Sequence, residues 1–569
     1  MASPPISLPT MLEQDSSSAS CETVRTLTWV LSNDRAIAAR VDTPQDNKVH
    51  GAVIVVPSIG QEAVVSFRTT RSLTMHAARA GFVGITFDFS GHGDSHPLPP
   101  AADAVGAWLE DLEAVMAFAA EILGDDRPVH LVGLRVGAAL LRLLPPRGAG
   151  HRLLWEPISG AAYLRQHRTI RRHTVAVPAV SDMVELEGYA LSPEHARSLK
   201  RLPAPRPTSP PRRGETIRFE PDPQVARRLA LGSLYRALLP LQQIREIVAS
   251  LEPGDAGSVA AWQPLRTALL PLSDGSVVEE ILCDVGPKRL SAVLARPVAR
   301  PCSLALVLTA MGSETKSGPG ALWSDCARSL AKHGVLSLRI DRSGLGEGID
   351  PCLIDEPRPY RDASVHDIGA AVNFIRTFAK SPGMPIWASG ICAGAWCALR
   401  AAESGGLSRV LAINSIHWNP DANVYTEAFY ERFHGQDSAP SATPQATHGA
   451  MGVRLLALIR KKVATNIPWL SSMVHSEIPF ETVSMLLSRL PLTCRVDLIM
   501  GIDEGRSFRG KGGSLALFRA RRRGLVANAY ESEKIDHALM SEMSRREVSR
   551  ILEQACIEAV GVGVLARKC

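Results

Sequence analysis

The sequence has no long apolar run, no paired-cysteine motif and only a small excess of charge. No stretch of the 569 residues approaches the roughly 18 to 20 apolar residues that a bilayer-spanning helix needs. The 10 cysteines form no CxxC pair, which argues against a zinc site and fits a reducing compartment. The net charge is +6, and the arginine clusters at 165–172 and 519–523 lack interleaved aromatic residues, so no nucleic-acid site is predicted. An anionic substrate or an acidic partner stays open.

The sequence also lacks motifs for secretion and for binding a cofactor or metal. Residues 1–20 contain no basic segment followed by an apolar core, so no signal peptide is predicted. We expect a cytoplasmic protein in which residues 1–21 form a disordered lead. The run GKGG at 510–513 lacks the spacing and the Ser/Thr of a Walker motif, and no dinucleotide fingerprint or metal-ligand set is found. The sequence therefore predicts neither a cofactor nor a metal.

What the sequence does contain is an internal repeat. In each half an apolar run leads into a glycine turn, a second run ends in D-x-x-G-x-G, an acidic helical stretch follows, and a third run meets a G-x-x-x-G turn. These runs lie at 51–57, 81–95 and 129–137 in the first half and at 304–308, 334–346 and 386–395 in the second. Gly81 precedes Asp88 by 7 residues, and Gly334 precedes Asp341 by the same number. The agreement indicates two related halves.

The repeat predicts an α/β protein with two domains. Short apolar runs that alternate with helical stretches indicate parallel strands joined by helices. With 45% hydrophobic and 21% charged residues, the chain can bury more than one core. We place the first domain at 22–260, with a flexible Pro/Arg-rich loop at 201–215. We place the second at 273–569, with a helical cap at about 418–490.

The turn around Cys392 is the candidate nucleophile site. An apolar run from Ile386 meets the turn Gly390-Ile391-Cys392-Ala393-Gly394, and a helix-prone stretch follows. This is the strand–turn–helix context of a nucleophile elbow, with cysteine in place of the usual serine. A side chain at either glycine would block the close approach of strand and helix. The alternative is a glycine turn that carries a buried core cysteine.

The order of these motifs resembles the α/β-hydrolase fold in both halves, across roughly 45–240 and 275–560. More narrowly, the chain is similar to serine-aminopeptidase-like hydrolases found beside bacterial exosortase and exopolysaccharide genes. One type in that group has an arginine-bearing elbow, as in Gly133–Gly137, and a W-x-P segment, as in Trp155–Pro157. Another type has a cysteine-bearing GxCxGA elbow, as around Cys392. Dienelactone-type hydrolases, similar only in a Cys-Asp-His set, also place cysteine at this position.

The first half does not offer a complete catalytic set. Its elbow carries Arg135, which stays protonated and cannot act as a nucleophile. After Trp155–Pro157 neither a strand ending in an acid nor one ending in a histidine is evident. We predict a truncated first domain without chemistry. Arg135 either contacts an anionic group of the substrate or pins its loop in a scaffold.

The second half offers all three groups in the order of α/β hydrolases: nucleophile, acid, histidine. Asp503 follows an apolar run where the resemblance implies the acid, with Glu504 as its rival. His537 lies between the last predicted strand and a helix, where the resemblance implies the base. The N–H of Ala393 and one from Gly312 or Ser313 would form the oxyanion hole.

These expectations predict a cysteine-dependent hydrolase that acts on an ester, thioester or amide through a thioester acyl-enzyme. One alternative is an acyltransferase or a chain-releasing thioesterase or cyclase, because a thioester also transfers its acyl group to an amine, alcohol or thiol. Another is a scaffold or binding protein in which both halves have lost activity. The expected partner is a small-molecule or carrier-bound acyl substrate, and apolar residues of the predicted cap either line an acyl site or dock the cap.

Overall fold

A computed structural model of the chain describes residues 23–145, 150–231, 239–272, 274–312, 314–348, 362–381, 383–415 and 483–566. The predicted N-terminal lead and residues 418–482 of the predicted cap lie outside the described residues, as does Ser313. Within the described part, no helix is both long and apolar enough to cross a membrane.

The strands of the first half, as far as the chain is described, form one large sheet and two short pairs. The sheet has the order β1-β2-β5-β4-β6-β7-β10, where only the pairings of β2 with β1 and β5 are antiparallel. The pairs are β3 with β11 and β8 with β9. The strands are β1 (Thr23–Ser32), β2 (Arg35–Pro44), β3 (Lys48–Val49), β4 (Ala52–Val56), β5 (Val83–Phe87), β6 (Val129–Leu134), β7 (Arg152–Trp155), β8 (Val184–Leu186), β9 (Tyr189–Leu191), β10 (Glu215–Arg218) and β11 (Gly257–Ser258).

The described strands of the second half form a sheet with the order β12-β13-β14-β16-β15-β17-β18-β19-β20. It begins with antiparallel pairs and is parallel from β16 to β20. The strands are β12 (Thr267–Pro271), β13 (Val277–Val285), β14 (Leu290–Pro297), β15 (Leu304–Thr309), β16 (Val335–Ile340), β17 (Ile386–Ile391), β18 (Arg409–Ile413), β19 (Arg495–Gly501) and β20 (Ala527–Ser532).

Helices alternate with these strands. Those of the first half are α1 (Gly60–Val65), α2 (Phe67–Arg79), α3 (Ala104–Leu123), α4 (Val136–Leu141), α5 (Gly160–Thr174), α6 (Pro193–Lys200), α7 (Pro223–Ala230) and α8 (Leu241–Ala249). Those of the second half are α9 (Leu322–Ala331), α10 (Asp362–Ala379), α11 (Ala393–Ala402), α12 (Val483–Arg489), α13 (Ile502–Gly510), α14 (Gly513–Arg522) and α15 (Glu542–Ala566), with short 3₁₀ turns at Pro319–Ala321 and Gly346–Gly348.

The central parallel strands are buried on both faces. Every residue of β4, β15 and β17 is buried, because helices cover both sides of each sheet. This is why these strands appear in the sequence as continuous apolar runs rather than as alternating patterns. The predicted fold class, α/β with two mostly parallel sheets flanked by helices, is confirmed.

The repeat extends to single hydrogen bonds. Asp111 on α3 accepts the backbone N–H of Ser90 at 2.8 Å, and Asp367 on α10 accepts that of Ser343 at 2.6 Å. Each acidic helix therefore holds the D-x-x-G-x-G turn of its own half. In the same way, Val56 pairs with the first glycine of one elbow and Thr309 with that of the other.

The acid that directly follows each D-x-x-G-x-G turn forms ion pairs with basic residues of the other half. Glu347 of the second half lies 2.7 Å from the Arg40 guanidinium of the first and also contacts Arg25. Asp94 of the first half lies 2.6 Å from Arg339 and 3.2 Å from the Lys316 ammonium of the second. Burial favours the neutral form of Glu347, yet the surrounding guanidinium groups hold its pKa well below the usual range. The halves are thus joined by buried, reciprocal ion pairs.

One strand of the first half was not predicted. The sequence missed β10, which lies at the end of the Pro/Arg-rich segment and pairs with β7. Leu202 and Glu215, near the two ends of this segment, are buried.

Candidate active site

Cys392 occupies the sharp turn between β17 and α11. Its backbone has φ 51° and ψ −113°, a conformation that costs a non-glycine residue energy and that clusters at functional sites. A Cβ on Gly390 would lie 2.4 Å from the backbone carbon of Gly394, and one on Gly394 would lie 2.5 Å from the carbonyl oxygen of Ala310. Both flanking glycines are therefore required by close backbone approaches, as the sequence predicted.

Arg135 has the same backbone conformation at the corresponding turn of the first half. Its φ is 56° and its ψ is −112°. The backbone N–H of Arg135 donates to Trp155 at 2.9 Å, and that of Cys392 donates to Ile413 at 2.8 Å. The two elbows are thus the same local structure, and they differ in the side chain that each presents.

His537 lies in the loop between β20 and α15 and is 6% exposed. Its Nδ1 is 2.7 Å from Oε1 of Glu504, and its side chain also hydrogen-bonds Cys392. Burial lowers the pKa of His537, but the hydrogen bonds and negative charges of Cys392 and Glu504 outweigh it and raise that pKa to about 10. The structure therefore brings Cys392 and His537 together and favours the imidazolium form.

The carboxylate beside His537 belongs to Glu504 rather than to Asp503, which the sequence favoured. The Asp503 side chain is 72% exposed and lies 3.3 Å from the guanidinium of Arg506. The Glu504 side chain is only 6% exposed. Because α13 begins at Ile502, directly after β19, each further residue turns by about 100° around the helix axis. Asp503 then points to solvent and Glu504 toward the histidine.

Asn414 was not recognised from the sequence. It follows β18, is fully buried and has φ 51°. Its amide nitrogen donates to the carbonyl oxygens of Asp536 at 2.9 Å and His537 at 2.8 Å, while its side-chain oxygen accepts the N–H of Gly501 at 2.9 Å. Asn414 therefore ties the histidine loop to the ends of β18 and β19, and so positions His537. The positive φ, for which asparagine is well suited, is invisible in the sequence.

Two of the three residues predicted to form the oxyanion hole, Ala393 and Gly312, lie in the part of the chain that the structure describes. Ala393 is the first residue of α11, where backbone N–H groups have no partner within the helix. The close approach of Gly394 to Ala310 brings this end of α11 against the loop that contains Gly312. Ser313, the other predicted contributor, lies outside the described residues. The oxyanion role of Ala393 and Gly312 stays a prediction.

Arg135 is engaged within the first half. Its Nη2 lies 2.8 Å from Oε1 of Glu62 and 3.0 Å from the amide oxygen of Gln166. Nε2 of His167 is 3.1 Å from the same Glu62 oxygen, and Ser58 donates to the other carboxylate oxygen at 2.6 Å. Burial raises the pKa of Glu62, but the cationic neighbours outweigh it and lower that pKa to about 2. The guanidinium of Arg135 is thus paired with a carboxylate of its own half. This fits the alternative in which Arg135 pins its loop better than one in which it contacts a substrate.

The first half has a histidine and an acid, but not in a relay. His167 faces Glu62, and Glu220, the acid that follows β10, accepts the indole N–H of Trp155 at 2.7 Å. In the described residues no cluster of three or more His, Cys, Asp or Glu side chains could hold a metal ion. The described contact of a histidine with both a cysteine and a carboxylate lies in the second half, between His537, Cys392 and Glu504.

The chain matches no protein-family model, and a search of curated proteins gives no match. Several solved structures that are similar to parts of it are named as hydrolases or esterases. A dienelactone hydrolase from Anabaena variabilis is 11% identical, with 51% of this chain and 96% of the other covered and a TM-score of 0.31. An esterase from Pyrobaculum calidifontis is 17% identical, with 49% and 85% covered and a TM-score of 0.31. A carboxyl esterase from Bacillus coagulans is 14% identical, with 50% and 98% covered and a TM-score of 0.31.

Proposed function

We propose that the second half is a cysteine-dependent acyl hydrolase whose relay is Cys392, His537 and Glu504. The substrate is an ester, thioester or amide, as a small molecule or attached to a carrier. One observation carries the proposal: a buried histidine is hydrogen-bonded both to the elbow cysteine and to a buried carboxylate. A core cysteine would need none of these partners. The cytoplasmic location predicted from the cysteines belongs to the same proposal.

The first step forms the acyl-enzyme. With the proton on His537, Cys392 is a thiolate, which is the reactive form of cysteine. Its sulfur attacks the acyl carbonyl carbon, a C–S bond forms, and the negative charge moves to the carbonyl oxygen. The N–H groups of Ala393 and of the Gly312 loop would stabilise that charge. When the oxyanion collapses, the bond to the leaving group breaks and His537 gives the leaving group its proton.

The second step restores the enzyme. Neutral His537 now takes a proton from water, and the resulting hydroxide adds to the thioester carbonyl. Collapse of that intermediate breaks the C–S bond, so the acid product leaves and the thiolate–imidazolium pair returns. An amine, alcohol or thiol in place of water gives acyl transfer with the same proton movements. Glu504 accepts the Nδ1–H of His537 throughout, which keeps Nε2 available for the thiol and the leaving group.

Covalent labelling tests the proposal. Incubation with 4-nitrophenyl acetate should release nitrophenol and leave an acetyl group on Cys392, located by mass spectrometry of peptides. His537→Ala should lose both signals while keeping the far-UV circular dichroism of the wild type. Cys397, buried one turn further along α11, serves as the internal control. Burial raises the pKa of its thiol, so it should remain unlabelled. A folded protein with unreactive Cys392 would refute the relay.

The acyltransferase alternative shares the acyl-enzyme and differs in the acceptor. Adding a primary amine, an alcohol or a thiol during turnover separates the two outcomes, because transfer yields an amide, ester or thioester product instead of the free acid. The scaffold alternative predicts no labelling of Cys392 at all. It would leave the buried imidazole and carboxylate beside the thiol without a role.

A further inference from the structure

One carboxyl group near Cys392 takes no part in the relay. Glu314 follows the glycine loop after β15 and is 3% exposed. Among the described residues, no polar atom hydrogen-bonds its Oε2, although that atom is buried. Burial raises the pKa of Glu314 to about 8, against the lowering effect of Arg545, and the charge of Cys392 adds to the increase. A buried polar atom without a partner is costly and therefore calls for an explanation.

The guanidinium of Arg545, the cation that acts on Glu314, already has other hydrogen-bond partners. Nη1 of Arg545 donates to the carbonyl oxygens of Leu539 and Met540, each at 3.1 Å. Nη2 lies 3.1 Å from the carboxylate of Glu542 on the same helix. Arg545 thus acts on Glu314 at a distance, and its described hydrogen bonds fix the turn after His537. Another group has to provide a direct partner for the free oxygen.

The first half shows what a carboxylate of this loop binds beside its elbow. Glu62 and Glu314 each lie two residues after the loop glycine, Gly60 or Gly312, although they are six and five residues after the matched strand residues Val56 and Thr309. In the first half that carboxylate is held by the guanidinium of the elbow residue, Arg135. In the second half the elbow residue is Cys392, so the elbow no longer supplies a cation. The same loop therefore leaves a buried carboxyl group beside the place where the acyl group would react.

We propose that Glu314 binds a cationic nitrogen group of the substrate, an ammonium or guanidinium carried on the acyl chain. The inference rests on the proposed function, since it concerns the substrate of the Cys392 relay. A cationic group supplies the hydrogen-bond donor that Oε2 lacks, and its charge replaces the one that Arg135 provides in the first half. A neutral acyl chain of the same length would leave that oxygen buried and unpartnered, at the full desolvation cost. Substrate selectivity then has two sources: the attraction between Glu314 and the cationic group, and the cost of leaving its buried oxygen without a partner when the acyl chain is neutral.

Matched activated esters test the inference. The substrates are the 4-nitrophenyl esters of glycine, β-alanine and 6-aminohexanoic acid, each beside the ester of equal chain length without nitrogen. A charge-assisted hydrogen bond predicts that one aminoacyl ester exceeds its neutral partner roughly 10- to 100-fold in kcat/KM. In Glu314→Gln the ratio should fall to about 1, whatever the absolute rates. Asp503→Asn, which alters an exposed acid, should keep the wild-type ratio.

Two further readouts make the outcomes distinct. Hexylamine should slow iodoacetamide labelling of wild-type Cys392 more than hexanol at the same concentration, and Glu314→Gln should abolish that difference. If the 6-hydroxyhexanoyl ester reacted as well as the 6-aminohexanoyl ester, the proposal that Glu314 binds a cationic group would be overturned. Acylation of Cys392 without any preference for the ammonium esters refutes the role of Glu314 and leaves the relay intact. Failure of every ester to acylate Cys392 refutes the proposed function itself.

Discussion

Replacing Glu504 with glutamine removes the charge beside His537 and little else. The two side chains have nearly the same size, so the buried space around α13 stays filled. Burial alone would lower the pKa of His537, and it is Cys392 and Glu504 that raise it from 6.5 to about 10. A shift of that size represents several kcal/mol shared between the two partners. Glu504→Gln should therefore lower the pKa of His537 and destabilise the imidazolium that donates the proton to the leaving group.

The expected consequence is a loss of acylation rate on the order of 10²- to 10⁴-fold, since the amide can also hold the imidazole in the wrong tautomer. Asp503→Asn is the matched control. Its side chain is exposed, so its loss should change the rate by less than about 2-fold. Glu504→Asp, which keeps the charge on a shorter side chain, should restore part of the rate that glutamine loses.

The assay is the pre-steady-state release of nitrophenol from 4-nitrophenyl acetate between pH 5 and 10. Thermal unfolding of each variant establishes that it is folded. Because the imidazolium deprotonates earlier in Glu504→Gln, any fall in rate on the alkaline side should begin at lower pH than in the wild type. A slow Asp503→Asn variant, or a Glu504→Gln variant that acylates at the wild-type rate, would contradict this role of Glu504.

Three further changes test the supports of the site. Asn414→Asp sets a carboxylate against the carbonyl oxygens that the amide now binds, so acylation should fall at least 10-fold in a protein with unchanged secondary structure by circular dichroism. Gly394→Ala places a Cβ 2.5 Å from a carbonyl oxygen and should lower the free energy of unfolding by roughly 1 to 3 kcal/mol in urea. Gly369→Ala, on an open face of α10, should not lower it. Glu347→Gln leaves buried guanidinium groups uncompensated and should cost roughly 3 to 5 kcal/mol at pH 7. The folded-state pKa of Glu347 is depressed, so its contribution is present above about pH 4.5. That contribution is lost as the pH falls, and the variant should show a smaller loss over the same acid range.

The sequence predicted the parts of the fold that depend on local pattern. Buried parallel strands are continuous apolar runs, and the glycines of both elbows are demanded by backbone contacts within a few residues or with the neighbouring strand. The sequence placed Cys392 directly after one strand and His537 in the loop after the last strand, and the structure has both residues there. Their catalytic roles stay predictions. The sequence favoured Asp503 as the partner of His537, but the carboxylate that contacts it is Glu504, one residue further. The choice depends on where α13 begins, because a helix that starts directly after its strand turns Glu504 inward.

Other features needed long-range information. Asn414 contacts residues 87 and 122 positions away along the chain, so no local pattern marks it. β10 is short and lies behind a proline-rich stretch, and its pairing with β7 overrides its weak strand pattern. The Arg135–Glu62 pair joins residues 73 positions apart, so it too needed the three-dimensional structure.

The first half contacts the segment that follows His537. Its residues 182–185 touch α15 of the second half. Asp182 lies 2.9 Å from Arg546, and a carboxylate oxygen of Glu185 accepts the N–H of Glu542 at 3.4 Å. Glu542 is the first residue of α15, five positions after His537. These contacts hold the start of α15, and with it the loop that carries His537, from outside the sheet of the second half. The crossed ion pairs of Asp94 and Glu347 join the two halves elsewhere.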